Sequence, residues 1–119
     1  MLTILYVALG GAMGSALRYG IGRLFLSSTF PIGTLWVNCS GCFFMGLFAG
    51  LITRFSLSDS LKLFVLVGLL GAYTTFSTFG LDTLSLLKNG NYFSATLNMI
   101  LSNALALFFV YLGLRLAQI

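Results

Sequence analysis

A chain of 119 residues that is 59% hydrophobic and 7% charged, with a mean hydropathy of +1.06, is no soluble domain, where about a quarter of residues carry charge. Six Lys+Arg against two Asp+Glu give a formal net charge of +4, but these basic residues are scattered singly and form no clustered face for nucleic acid, so no such partner is expected. The chain contains neither histidine nor glutamate and no nucleophile beside a base, which argues against an enzyme.

At roughly 20 residues per crossing, the length accommodates about four membrane helices. A single transmembrane domain over residues 1–119 is therefore expected, with lipid around it. Clusters of charge, Pro, Gly and small polar residues at 27–31, 54–60 and 88–91 divide the chain. The predicted spans are 2–26, 33–53, 61–87 and 93–117. The first apolar run starts without a charged stretch and continues to Leu17, so it reads as a span rather than a cleaved signal peptide. It carries Gly10 and Gly14 as a G-x-x-x-G, a weak mark of close helix contact.

The second span comes after Pro31 and Gly33, with Thr34 and Asn38 on one helix face and a second G-x-x-x-G at Gly46 and Gly50. Whether either glycine pair packs within a subunit or between two is open from sequence. Cys39 and Cys42 form a Cys-x-x-Cys, but without further Cys or His ligands they read as small buried hydrophobes. Asn38 is different, because an amide in hydrocarbon needs a partner on another helix or a bound ligand.

Ser58 or Asp59 is the expected N-cap of the third span, which then runs through Gly68, Gly71 and a hydroxyl-rich stretch from Thr74 to Thr78. Glycines and hydroxyls at the bilayer centre favour a broken helix, since unwound backbone is tolerated where protein or a cavity encloses it, and freed carbonyls can bind a cation. At helical spacing Thr75, Thr78, Phe79 and Asp82 share a sector, with Phe76 at its edge. On the fourth span Asn98 and Ser102 share a face. Hydroxyl and amide donors, together with the positive edges of aromatic rings, can replace the hydration of an anion without a fixed positive charge.

Lys and Arg near span ends set orientation. With four spans, Arg54, Lys62 and Arg115 lie on one side and Arg18, Arg23 and Lys88 on the other, a balance of 3 against 3. A chain without bias inserts both ways up and can pair about a two-fold axis. Four helices also enclose little space, so a path through the bilayer calls for a second subunit.

Phe30-Pro31-Ile32-Gly33-Thr34-Leu35-Trp36-Val37-Asn38 with Gly41, and Gly71-Ala72-Tyr73-Thr74-Thr75-Phe76-Ser77-Thr78-Phe79, resemble the signature stretches of the Fluc (CrcB) fluoride channels. The Gly10-Gly11-x-x-Gly14-x-x-x-Arg18-Tyr19 opening resembles a third, and the likeness covers essentially the whole chain. The resemblance implies an all-α membrane protein with a broken third helix, assembled as an antiparallel dual-topology homodimer in the cytoplasmic (inner) membrane. It further implies passive fluoride export that relieves fluoride toxicity, and a structural sodium ion at the dimer centre. Carried over by position, Gly71 and Thr74 supply sodium carbonyls, while Asn38, Phe76, Phe79, Thr34, Ser77, Thr78 and Ser102 line the fluoride pathway and Arg18 its vestibule.

Three positions depart from the family pattern: Ala72 stands where many members have glycine, Asp82 where they have glutamate, and Asn98 where tyrosine is common. A stiffer break and an altered pore mouth are expected, and Asp82 and Asn98 are not carried over as pore residues. One rival, a small proton-coupled multidrug-type exporter, requires a membrane-embedded carboxylate that exchanges protons for substrate, and Asp82, toward the end of the third span, suits that poorly. Another, a non-transporting helper subunit, has no use for polar stripes on three helices.

Overall fold

A computed structural model describes residues 1–119, and every regular element in it is a helix. α1 spans Leu2–Arg23, α2 spans Ile32–Arg54 and α5 spans Tyr92–Ala117. Between α2 and α5 the third crossing is divided into α3 (residues 59–73) and α4 (Phe76–Lys88), with Thr74 and Thr75 extended between them. With α3 and α4 counted as one crossing, four helical segments are long and apolar enough to cross a membrane. The body measures 49 × 32 × 20 Å, longer than the ~30 Å hydrocarbon layer. Only 18 of 119 residues are buried, and large apolar side chains such as Leu9, Phe93 and Leu107 face outward, as suits a multi-pass membrane protein whose solvent is lipid.

The predicted first span overruns its helix by three residues. After Arg23 the amides of Leu24 and Phe25 reach back to the Ile21 and Gly22 carbonyls, a tightened last turn, although the side chains stay apolar through Leu26. Hydropathy alone carries no mark of that turn. The third crossing begins earlier than predicted because Ser58 is the cap: its Oγ accepts from the Leu61 amide at 3.3 Å, with Asp59 and Lys62 paired at 3.0 Å in the first turn. The other ends agree within the usual one or two residues. Gly90, at φ 75°, makes the left-handed turn into α5.

Two helix pairs form the body, and both G-x-x-x-G pairs pack within this one chain. A Cβ on Gly10 or Gly14 would stand 2.9–3.0 Å from the backbone nitrogens of Leu69 and Tyr73, so α1 lies backbone to backbone against α3. One on Gly46 would meet the Leu114 nitrogen at 2.9 Å, and one on Gly113 the Leu47 nitrogen at 2.7 Å, so α2 and α5 run parallel in equally close contact. The Arg54 guanidinium closes the end of that pair by donating to the Ala117 carbonyl at 3.1 Å.

Within α3, residues Leu63–Leu70 are wound as a π-helix, a feature with no sequence signal here. A π turn accommodates an extra residue and so re-aims the residues C-terminal to it. Those residues are the last turn of α3, Gly71–Tyr73, and the break at Thr74 and Thr75.

Candidate functional site

The break is held by groups that the sequence brings from three elements. Thr74 (φ −78°, ψ 156°) and Thr75 (φ −150°, ψ 120°) are extended, so the Thr74 amide is the last to keep its helical bond, to the Leu70 carbonyl at 3.1 Å, and the Thr75 amide leaves the ladder. Asn38 on α2 takes up the slack: its Nδ2 donates to the Thr75 carbonyl at 2.9 Å and its Oδ1 accepts from the Thr75 amide at 2.7 Å. The required partner of Asn38 is therefore the broken backbone itself. Gly41, one turn on, is where the break lies against α2, since a Cβ there would collide with the Thr74 methyl and stand 3.0 Å from the Tyr73 ring. The Tyr73 hydroxyl meets Ser40 Oγ at 2.9 Å and anchors the end of α3 to the same helix.

Thr75 is also the N-cap of α4. Its Oγ1 accepts from the Thr78 amide at 3.2 Å and donates to Thr78 Oγ1 at 3.0 Å, with Ser77 Oγ 3.3 Å away. This corrects the reading of one helical sector shared by Thr75, Thr78, Phe79 and Asp82, because Thr75 stands outside the helix and caps it. The signal for Thr75 was present in the sequence: a threonine directly ahead of a helical run is a preferred cap.

Two clefts with polar residues in their lining share Thr75. The first, about 200 Å³, is bordered by Asn38, Cys42, Thr74, Thr75, Phe76, Phe79, Ser102 and Asn103. The Phe76 and Phe79 rings lie 5.3 Å apart at 38°, and Phe76 is 78% exposed, so its ring turns away from the subunit's own core. The second cleft, about 390 Å³, is bordered by Ser15, Arg18, Tyr19, Arg23, Thr34, Thr75 and Thr78. Thr75, which Asn38 holds through its backbone, borders both. Arg23 is held by the Tyr19 hydroxyl at 3.2 Å, whereas Arg18 faces the cleft without an ion-pair partner.

Of the residues selected from sequence, Asn38, Phe76, Phe79, Ser102 and Thr74 thus gather around the first cleft, and Thr34, Thr78 and Arg18 around the second. Ser77 borders neither and sits beside Thr75. Gly71 lies exposed on the outer face of α3. Asp82 borders a third hollow, about 330 Å³, with Ser28, Thr29, Ser85, Asn89 and Asn91 at the end of the molecule, and its Oδ2 accepts from Thr34 Oγ1 at 2.6 Å. Asn98 is buried between α4 and α5, bonded to Thr83 at 2.9 Å and to Ser102 at 3.2 Å. Cys39 is buried and Cys42 borders the first cleft; both are free thiols.

Residues 5–114 match the family described as CrcB-like protein, Camphor Resistance (CrcB). The chain belongs to the CrcB family. Among its CrcB relatives, a protein of Shewanella sp. (strain W3-18-1) named fluoride-specific ion channel FluC is 48% identical over 119 residues, covering 98% of this chain and 96% of the relative. Proteins of the same name from Shewanella baltica (strain OS185) and Shewanella denitrificans are 47% and 46% identical with the same coverage. The broken third crossing and its two clefts are thus the geometry of a CrcB protein.

Proposed function

We propose that this chain is a fluoride-selective channel that lets fluoride leave the cell passively across the cytoplasmic membrane, relieving its toxicity. The observation that carries this reading is the pair of clefts that share Thr75, bordered by hydroxyl, amide and phenylalanine side chains. Such a lining replaces the water of a small, strongly hydrated anion by fixed donors, while Arg18 draws anions to the wider cleft. The relatives named as fluoride-specific channels support the choice of fluoride over other anions. The CrcB family match and the relatives named as channels support a channel rather than an enzyme.

The working unit in this reading is an antiparallel homodimer. A body 20 Å thick is about two helix diameters deep, and its clefts open on the surface, so a lining from a second copy is needed to close them. The 3:3 distribution of Arg and Lys between the two ends suits insertion in both orientations. Phe76, largely uncovered by its own subunit, then has a partner's surface to face.

A structural sodium ion fits the break. The amides that an unbroken helix would direct to the Gly71 and Thr74 carbonyls belong to Thr75 and Thr78, and these donate instead to Asn38 Oδ1 and Thr75 Oγ1. Two carbonyl oxygens are thereby released at membrane depth, where an unmatched carbonyl is costly. Gly71 and Thr74 would hold the ion through these oxygens, the ligand type that hard cations prefer. Its charge would join two breaks across the dimer axis.

The deciding experiment is fluoride-electrode efflux from liposomes holding the purified protein, loaded with potassium fluoride and triggered by valinomycin, beside a matched chloride assay. Fluoride release without chloride release is expected. Absence of fluoride release from folded protein would overturn the reading.

A further inference from the structure

We propose that Asn98 is a positioning residue that determines which way the Ser102 hydroxyl points, and through it how tightly the cleft beside Phe79 holds a small anion; this rests on the channel reading above. Asn98 is 2% exposed and bridges α4 and α5. Its orientation is fixed by donor and acceptor arithmetic alone. Thr83 Oγ1 lies 2.8 Å from the Phe79 carbonyl, which can only accept, so the single Thr83 proton points there. At 2.9 Å from Asn98, Thr83 Oγ1 can then only accept, which turns the Asn98 NH2 toward it. The Asn98 oxygen is left facing Ser102 at 3.2 Å, and Ser102 must donate to it.

The consequence concerns the cleft. Ser102 borders it together with Asn38, Phe76 and Phe79, yet its proton points back into the protein and its lone pairs face the space an anion would occupy. An anion that recruits this hydroxyl must take the proton from the Asn98 oxygen. The exchange offsets much of the gain from the new bond, so the ion is held loosely at this step. Loose holding is what a conducting path requires, since an ion bound too well does not leave. The chain is anchored at its far end to the Phe79 backbone, so the same bonds that orient Ser102 also tie it to the residue whose ring borders the cleft.

Flux against fluoride concentration in reconstituted vesicles tests this in a four-member cycle: wild type, Asn98→Leu, Ser102→Ala and the double variant. Asn98→Leu releases the Ser102 proton to the cleft, so half-maximal flux falls to lower fluoride by roughly threefold to tenfold, the size of one neutral hydrogen bond, and maximal flux declines. In the Ser102→Ala background Asn98→Leu changes neither quantity. An equal effect in both backgrounds, as a purely structural role produces, overturns the proposal. Thr83→Val keeps the test available if Asn98→Leu does not fold, because the unanchored amide turns and the shift goes the same way; an unshifted half-maximal flux there also overturns it. The carboxamide 13C signal of Asn98 reads the bond without transport: Ser102→Ala should shift it, and an unmoved signal refutes the assigned direction. A wild type that releases no fluoride refutes the channel reading and the anion step with it, while the carboxamide signal still decides which way Ser102 points.

Discussion

Asn38 directs both ends of its amide to one residue, Thr75, accepting from that residue's backbone N–H at 2.7 Å and donating to its carbonyl at 2.9 Å. A side chain thereby replaces the helical hydrogen bonds that Thr75 forgoes, and Thr75 borders both clefts. Structure and proposed path depend on one amide.

Asn38→Ala therefore exposes two unmatched backbone groups at membrane depth, each costing about 1–3 kcal/mol. Thermal unfolding in detergent should occur at lower temperature, and fluoride efflux from the protein that remains folded should be lost. Asn38→Asp keeps the acceptor for the Thr75 amide but sets a carboxylate oxygen against the Thr75 carbonyl; it should be destabilised as well and should fail to pass fluoride. Efflux at the wild-type rate from folded Asn38→Ala would remove Asn38 from the pathway.

Phe76 makes little contribution to the core, being 78% exposed, so Phe76→Ile should fold as the wild type does. Its effect falls on the path, where a methyl surface replaces a ring edge. Fluoride efflux should drop by roughly tenfold or more, equivalent to at least ~1.4 kcal/mol of lost anion stabilisation. Unchanged efflux would assign the ring to lipid or subunit packing.

Gly46 and Gly113 lie where the backbones of α2 and α5 touch within one subunit. A leucine at either position has to push the helices apart, with an overpacking cost of about 1–3 kcal/mol or more. The expected result is loss of folded protein on expression rather than release of intact monomers. Size-exclusion chromatography distinguishes the two: a stable folded monomer of Gly46→Leu would contradict the contact.

The sodium proposal has its own test. Replacement of sodium by N-methylglucamine throughout purification should lower the thermal stability of the dimer and reduce fluoride efflux, and sodium should restore both. Stability and efflux indifferent to the replacement would mean that the Gly71 and Thr74 carbonyls are satisfied by water or by the partner subunit.

The polar stripes of α2 and α5 were legible because a helix keeps its own register: Thr34 and Asn38, or Asn98 and Ser102, share a face whatever surrounds them. The Ser102–Asn98 bond at 3.2 Å is a product of that spacing. Thr75 escaped because the helical period was carried through a place where the helix stops. Asn98 is not carried over from sequence as a pore residue, and its neighbour across the helices, Thr83, lies on an element whose approach no spacing encodes. The π-wound stretch Leu63–Leu70 has the same apolar composition as an α-helix would, and in the fold it lies backbone to backbone against Gly10 and Gly14.

Length, hydropathy and turn chemistry by themselves determined four crossings, one of them broken, with polar groups on three, because a bilayer demands helices of set length and penalises every unpaired polar atom. The tertiary structure decided which atoms meet those demands. That Asn38 matches Thr75, that Gly46 and Gly50 face α5 of the same chain, and that Asn98 donates to Thr83 each depend on the approach of two helices to within hydrogen-bond or van der Waals distance. Such distances arise from packing several segments at once, and the local pattern of any one segment is compatible with many of them.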